Sequence, residues 1–193
     1  MRPGATIYLL RHGETEWNAG GRFQGRLDSP LTAKGLAQAR AAARRLADLA
    51  PVADALCSSP LGRAQQTVEA IRAAHAYPAV QWDWRLAEVS LGSWDGLTHV
   101  DIDACWPHHL DGASRYDWYF RAPDGESAED AAARVRSWLW EQEGTVVAIS
   151  HGLLSRIIRG IYLDLPWERA LELPVDQDCI WRLADGEVSA LAT

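Results

Sequence analysis

The run TVVAI, Thr145–Ile149, is short, apolar and β-branched, with helical patterns on both sides of it, over Ser127–Glu143 and Leu153–Leu163. A run of this kind reads as a strand buried on both faces. Such a strand needs cover above and below, which confines the chain to a layered α/β architecture. The other segments agree. Ile7–Leu10, Ala53–Ser58 and Gln81–Trp84 read as further strands. Ala33–Ala50, capped by Thr32 and stopped before Pro51, reads as a helix, as does Leu61–Ala76. The polar stretch from Asn18 to Thr32 reads as loop. Leu86–Pro123 is irregular and aromatic-rich, with one short helix near Thr98–Trp106, and the tail reads as a hairpin across Asp185-Gly186. The expectation is one domain over residues 1–193, a three-layer α/β/α sandwich with a mostly parallel central sheet.

Composition narrows the function classes. A formal charge of −7 argues against a general nucleic-acid binder, which would carry a basic face. Three widely spaced cysteines, Cys57, Cys105 and Cys179, form no disulfide framework, and the odd count suits a reducing compartment. The first strand starts within a few residues of Met1, so no signal peptide is expected, and no apolar run reaches the roughly 18 to 20 residues of a membrane span. A cytoplasmic location is the expectation.

In open parallel sheets, ligands bind beyond the carboxyl ends of the strands. That rule selects residues. The first strand ends at Arg11-His12, the second at Ser58-Ser59 shortly before Arg63, and the Thr145 strand at Ser150-His151-Gly152. Two arginines and two histidines therefore share one rim. Forked guanidinium donors match the oxygens of a phosphate-like dianion, and an imidazole is a competent nucleophile. Helix N-termini following the strands add positive dipole to the same crevice. The expected ligand is a phosphoryl group.

Leu10-Arg11-His12-Gly13-Glu14-Thr15 with Asn18 resembles the signature of the histidine phosphatase superfamily, the phosphoglycerate-mutase-like proteins. Five further blocks follow in order: Phe23-Gln24-Gly25 to Gly35, Ser58–Thr67, Leu86-Ala87-Glu88 to Gly96, Pro123–Ser127, and Ser150-His151-Gly152. The resemblance implies a phosphoglycerate-mutase-like fold and a metal-independent phosphomonoester hydrolase of the histidine acid-type, with no cofactor. It implies His12 as the nucleophile of a phosphohistidine intermediate and Glu88 as proton donor and then base. Arg11, Arg63 and His151 would hold the phosphoryl oxygens, aided by Asn18, Gln24, Gly25 and Gly152 along the site. A poor leaving group needs a proton, and without a metal the positive charge must come from arginine and imidazolium. The expected partner is a small phosphomonoester, with no nucleic acid and no membrane, and a homodimer is left open.

Rival readings are weighed on the same residues. Asp95 is an alternative to Glu88 as acid. Cys57 and Arg63 have the spacing of cysteine-dependent phosphatases, but Pro60 removes a loop N–H, and Ala64 stands where a hydroxyl is expected. Gly20–Gly25 has the glycine spacing of a P-loop but continues Arg26-Leu27. His99 and Asp103 share a helix face without matching a strong zinc motif. Phosphoglycerate mutase-type transfer is disfavoured because the basic, tyrosine-bearing insert is absent and Leu153 follows His151-Gly152. A catalytically weak relative that only binds phosphorylated ligands is the non-enzyme alternative.

Aromatic residues divide into two expectations. Trp82, Trp84, Trp138 and Trp140 read as core and sheet packing. Tyr116–Phe120, flanked by Arg115 and Arg121, reads as a lid at the crevice mouth, with Trp118 stacking on a bulky leaving group and the arginines meeting further anions.

Overall fold

The computed structural model describes residues 4–114 and 116–193. Six strands form one sheet: β1 (Thr6–Arg11), β2 (Ala55–Ser58), β3 (Val80–Trp82), β4 (Thr145–Ser150), β5 (Cys179–Ala184) and β6 (Glu187–Ala192). Their order is β3-β2-β4-β1-β5-β6. The first four run parallel, whereas β5 and β6 join antiparallel on the far side of β1. Ala184 pairs with Glu187 across a tight turn in which Asp185 and Gly186 both have positive φ.

Alternate residues of β1 and β4 serve different layers, and both layers are apolar. Ile7, Leu9, Val146 and Ala148 pack under α5 (Ala128–Trp140), α6 (Gly152–Tyr162) and α7 (Trp167–Leu171). Tyr8, Leu10, Val147 and Ile149 pack under α2 (Ala33–Leu49) and α3 (Gly62–Ala74). This is why the strand sequences are continuously hydrophobic rather than alternating. Side-chain caps start the helices at the expected places: Thr32 accepts from Gly35 N, and Ser127 from Asp130 N. No helix among the described residues is long and apolar enough to cross a membrane.

Some expectations shift. β3 ends at Trp82; Asp83 then caps a 3₁₀ turn over Trp84–Leu86. Two short helices lie outside the sequence expectation, α1 (Glu16–Ala19) and α7. The former is held by a reciprocal cap between Thr15 and Asn18 in a stretch otherwise built of loop residues. Of the four tryptophans expected in the core, only Trp138 is buried; Trp82, Trp84 and Trp140 are about half-exposed or more. Edge-strand and helix-end positions leave one side of the ring to solvent there. Arg134 of α5 donates to the carbonyls of Arg85 and Ala87 at 2.7 and 2.8 Å, and to both oxygens of Glu126.

A third, smaller apolar cluster of Leu91, Trp94, Ile102 and Trp118 lies beyond the strand ends. It is roofed by α4 (His99–Cys105), which Thr98 and Asp101 cap. Leu91 of this cluster, with Phe23 and Tyr119 packed against it, lines the crevice.

Candidate active site at the strand ends

Arg11, His12, Asn18, Gln24, Gly25, Arg63, Glu88 and Gly152 line one cavity of about 250 Å³. His151 is the exception among the expected residues. It is wholly buried and stands behind the lining, with its ring centroid 5.1 Å from that of His12.

His12 Nδ1 lies 2.7 Å from Gly13 O, a contact that requires a proton on Nδ1. Nε2 is then the lone-pair nitrogen, and it accepts from Arg63 Nε at 3.2 Å. Burial, with Arg63 and Arg11 close by, holds the His12 pKa well below its ordinary value, so the ring is neutral and nucleophilic. His151 is likewise held neutral, first by burial and then by Arg63. The Ser59 hydroxyl accepts from Leu61 N and shares a hydrogen bond with His151 Nε2 at 2.7 Å. His151 Nδ1 is buried and has no partner among the described residues. The positive charge of the free site therefore rests on guanidiniums, where imidazolium was also expected.

Arg63 is buried and anchored by Asp28 Oδ1 at 2.7 Å and by the carbonyls of Leu27 and Gly25. With His12, these four acceptors leave one of its five N–H groups free for the cavity. Arg11 Nη1 donates to Val175 O at 2.9 Å, while its Nε is buried without a partner among the described residues. The missing side chain of Gly152 lets this guanidinium sit close, since a Cβ there would stand 3.3 Å from Arg11 Cζ. Gly25 has φ +47°, and a Cβ on it would overlap the Asp95 carboxylate. Both amide side chains have their oxygens tied back: Asn18 Oδ1 accepts from Thr15 N, and Gln24 Oε1 from the Ser29 hydroxyl. Their NH₂ groups are the ends left for the cavity. Several donors, two of them on cationic groups, thus converge beside one neutral imidazole lone pair, an arrangement suited to phosphoryl capture and attack.

Glu88 and Asp95 separate cleanly. Glu88 lines the cavity and accepts from the backbone N–H groups of Val89, Leu153 and Leu154, the last two in the first turn of α6. Asp95 does not line it; its oxygens accept from Arg26 N and Leu91 N, and burial raises its pKa. Cys57 faces the opposite layer with Trp138, its thiol pushed up to about 11 by burial. His99 is packed between Phe23 and Trp118, at 4.6 and 4.5 Å between ring centroids.

The aromatic segment divides among different environments. Trp118 belongs to the third cluster and does not line the cavity, whereas Tyr119 does. Tyr116, Tyr119 and Phe120 pack against the main core. The lid expectation for Trp118 is corrected accordingly, because one 3₁₀ turn over Trp118–Phe120 sends successive rings in different directions. Arg121 closes its own loop by donating to Asp111 O and Gly112 O. Arg115 lies outside the described residues. Arg156 lines the cavity and was not singled out from sequence, although it follows His151 by five residues on α6. Gln177 was also missed, and it has no local sequence signal.

The chain matches the histidine phosphatase superfamily (branch 1) over residues 7–187. A glucosyl-3-phosphoglycerate phosphatase of Mycolicibacterium vanbaalenii is 38% identical over 175 residues, 83% of this chain and 75% of that protein. A Shigella dysenteriae protein named "Probable phosphoglycerate mutase GpmB" is 36% identical over 178 residues, 86% of this chain and 80% of that one. The solved structure of Bacillus stearothermophilus YhfR superposes with a TM-score of 0.82 at 30% identity, covering 97% of this chain and 96% of that one.

Proposed function

Since the chain belongs to the histidine phosphatase superfamily, we propose that it hydrolyses small phosphomonoesters through a phosphohistidine on His12. The observation that carries this reading is the His12 ring itself: Nδ1 is committed to Gly13 O, so the one lone pair is on Nε2, where Arg63 Nε meets it. The phosphoryl oxygens take the free donors of Arg11, Arg63, Asn18 and Gln24, with the buried His151 ring behind them. As they do, the Arg63 N–H now spent on His12 Nε2 turns to an incoming oxygen and frees the lone pair. Nε2 then attacks phosphorus, the bond from phosphorus to the ester oxygen breaks, and Glu88 supplies a proton to the departing alkoxide. In the second half, Glu88 takes a proton from water as the water oxygen attacks phosphorus. The bond from phosphorus to Nε2 breaks, and inorganic phosphate leaves with His12 neutral again. Two guanidiniums supply the charge stabilisation that the transferred group requires, so turnover needs no metal.

Transfer between hydroxyls of one substrate uses the same first half, and a mutase name among the relatives keeps it in view. Val89, Leu91 and Leu153 line the cavity beside Glu88, and Arg156 adds a cation on the same helix as Leu153. Rapid alkaline quenching during turnover of a labelled phosphomonoester tests the proposal. Acid-labile, base-stable label on His12 is expected. Label on Cys57, or isomerisation that outruns phosphate release, would overturn it.

A further inference from the structure

Between α7 and β5, three consecutive carbonyls are each held by a different arginine. Leu173 O accepts from Arg156 Nε at 2.7 Å, Pro174 O from Arg159 Nη2, and Val175 O from Arg11 Nη1 at 2.9 Å. Arg159 is the unexpected member. It is 1% exposed, stacks on Trp181 at 3.9 Å, and among the described residues it forms no ion pair. Its other side-chain bond runs to Ser155 O within its own helix. Burying an unpaired guanidinium is costly, and here it is committed to one loop carbonyl.

That loop in turn touches the anion site at two places. Val175 O braces the Arg11 guanidinium. Two residues on, Gln177 Nε2 lies 3.3 Å from both His12 O and Asn18 Oδ1. Asn18 Oδ1 already accepts from Thr15 N. With its oxygen facing two N–H donors, a flipped Asn18 amide would set N–H against N–H, so its NH₂ is turned to the cavity.

We propose that the 173–177 loop is a positioning bracket for the phosphoryl site, in which Gln177 fixes the Asn18 amide as a donor and Arg159 anchors the loop. Neither residue lines the cavity, so both act through others. The inference rests on reading this cavity as a phosphoryl site, and its test is made by binding so that turnover is not required.

Calorimetric titration with inorganic phosphate, and with vanadate, is the measurement. Gln177→Leu should raise the dissociation constant roughly ten-fold, the cost of one misdirected hydrogen bond to a charged ligand. Asn18→Ala should cost a similar factor, and the double variant no more than either alone, because both remove one donor. Arg159→Met should weaken binding in the same direction, with Arg159→Lys restoring most of it by keeping a donor for Pro174 O. Losses that multiply in the double variant, or unchanged binding in Gln177→Leu, would overturn the bracket even if Arg159→Met fails to fold. Wild-type chain that binds phosphate with this coupling but turns nothing over would sustain the bracket and refute the hydrolase. Wild-type chain that binds neither anion would remove both.

Discussion

Arg63 Nε stands 3.2 Å from His12 Nε2, so the arginine at the start of α3 donates to the one ring nitrogen of His12 that keeps a lone pair. The contact orders the imidazole in the free chain and places the cation beside the atom that would attack. Replacing the fork by a point charge separates these effects. Arg63→Lys keeps a positive charge but cannot serve His12, Asp28, Leu27 O and Gly25 O together. Its kcat/KM should fall by about 10²-fold or more, the cost of losing an oriented donor at the transferred group. Steady-state kinetics beside a thermal melt checks this, since a fully folded variant with near wild-type kcat/KM would exclude the role.

The acid assignment has a leaving-group signature. Glu88→Gln should slow hydrolysis of alkyl phosphates by about 10² to 10⁴, yet slow an aryl phosphate with an acidic leaving group far less. Asp95→Asn should show no such dependence, because Asp95 ties Arg26 N to Leu91 N away from the cavity. Comparing the two variants on both ester types decides which carboxyl serves the leaving group.

Both histidines are held neutral by burial and by neighbouring arginines, so folding opposes their protonation. In the unfolded chain they take up protons near the ordinary value of 6.5. The unfolded state thus binds more protons as pH falls, and the stability tied to these rings is complete above about pH 6.5 and lost below it. The melting temperature should decline between about pH 6.5 and 5, and the decline should be shallower in His151→Gln. Saturating phosphate should also flatten it, since an adjacent anion favours the charged ring. Melts across that range, with and without phosphate, provide the check. An identical slope in wild type and variant would exclude the link.

Substrate size should be read by Tyr119 and not by Trp118. Tyr119→Ala should cost roughly five-fold in kcat/KM for an aryl or nucleoside monophosphate relative to glycerol phosphate, the worth of an aromatic contact of about 1 kcal/mol. Trp118→Ala should act on stability instead, by about 3 kcal/mol or more, because the ring is buried in the third cluster. Paired kinetics and denaturant titration separate the outcomes; selectivity lost with Trp118 and retained without Tyr119 would reverse them.

The strands and main helices were legible in the sequence because their information is local. Val146–Ile149 is continuously apolar, Thr32 and Ser127 can cap the turns that follow them, and Asp185-Gly186 suits a turn with positive φ. The grouping of Arg11, His12, Arg63 and His151 was legible too, since parallel strands deliver their carboxyl ends to one rim and each residue sits at such an end or just after it, whereas Glu88 was legible only through the family resemblance. Other features had no local signal. Whether an aromatic in Tyr116–Phe120 meets substrate or core depends on how one short turn points each ring, which no periodicity over five residues encodes. Gln177 meets Asn18 across 159 positions of chain, and Arg134 meets the carbonyl of Ala87 across 47. Such contacts depend on where distant backbone atoms come to rest once the layers have packed. The sequence by itself determined which atoms could do the chemistry; tertiary packing decided which lone pair is free, which amide faces inward, and which carboxyl reaches the cavity.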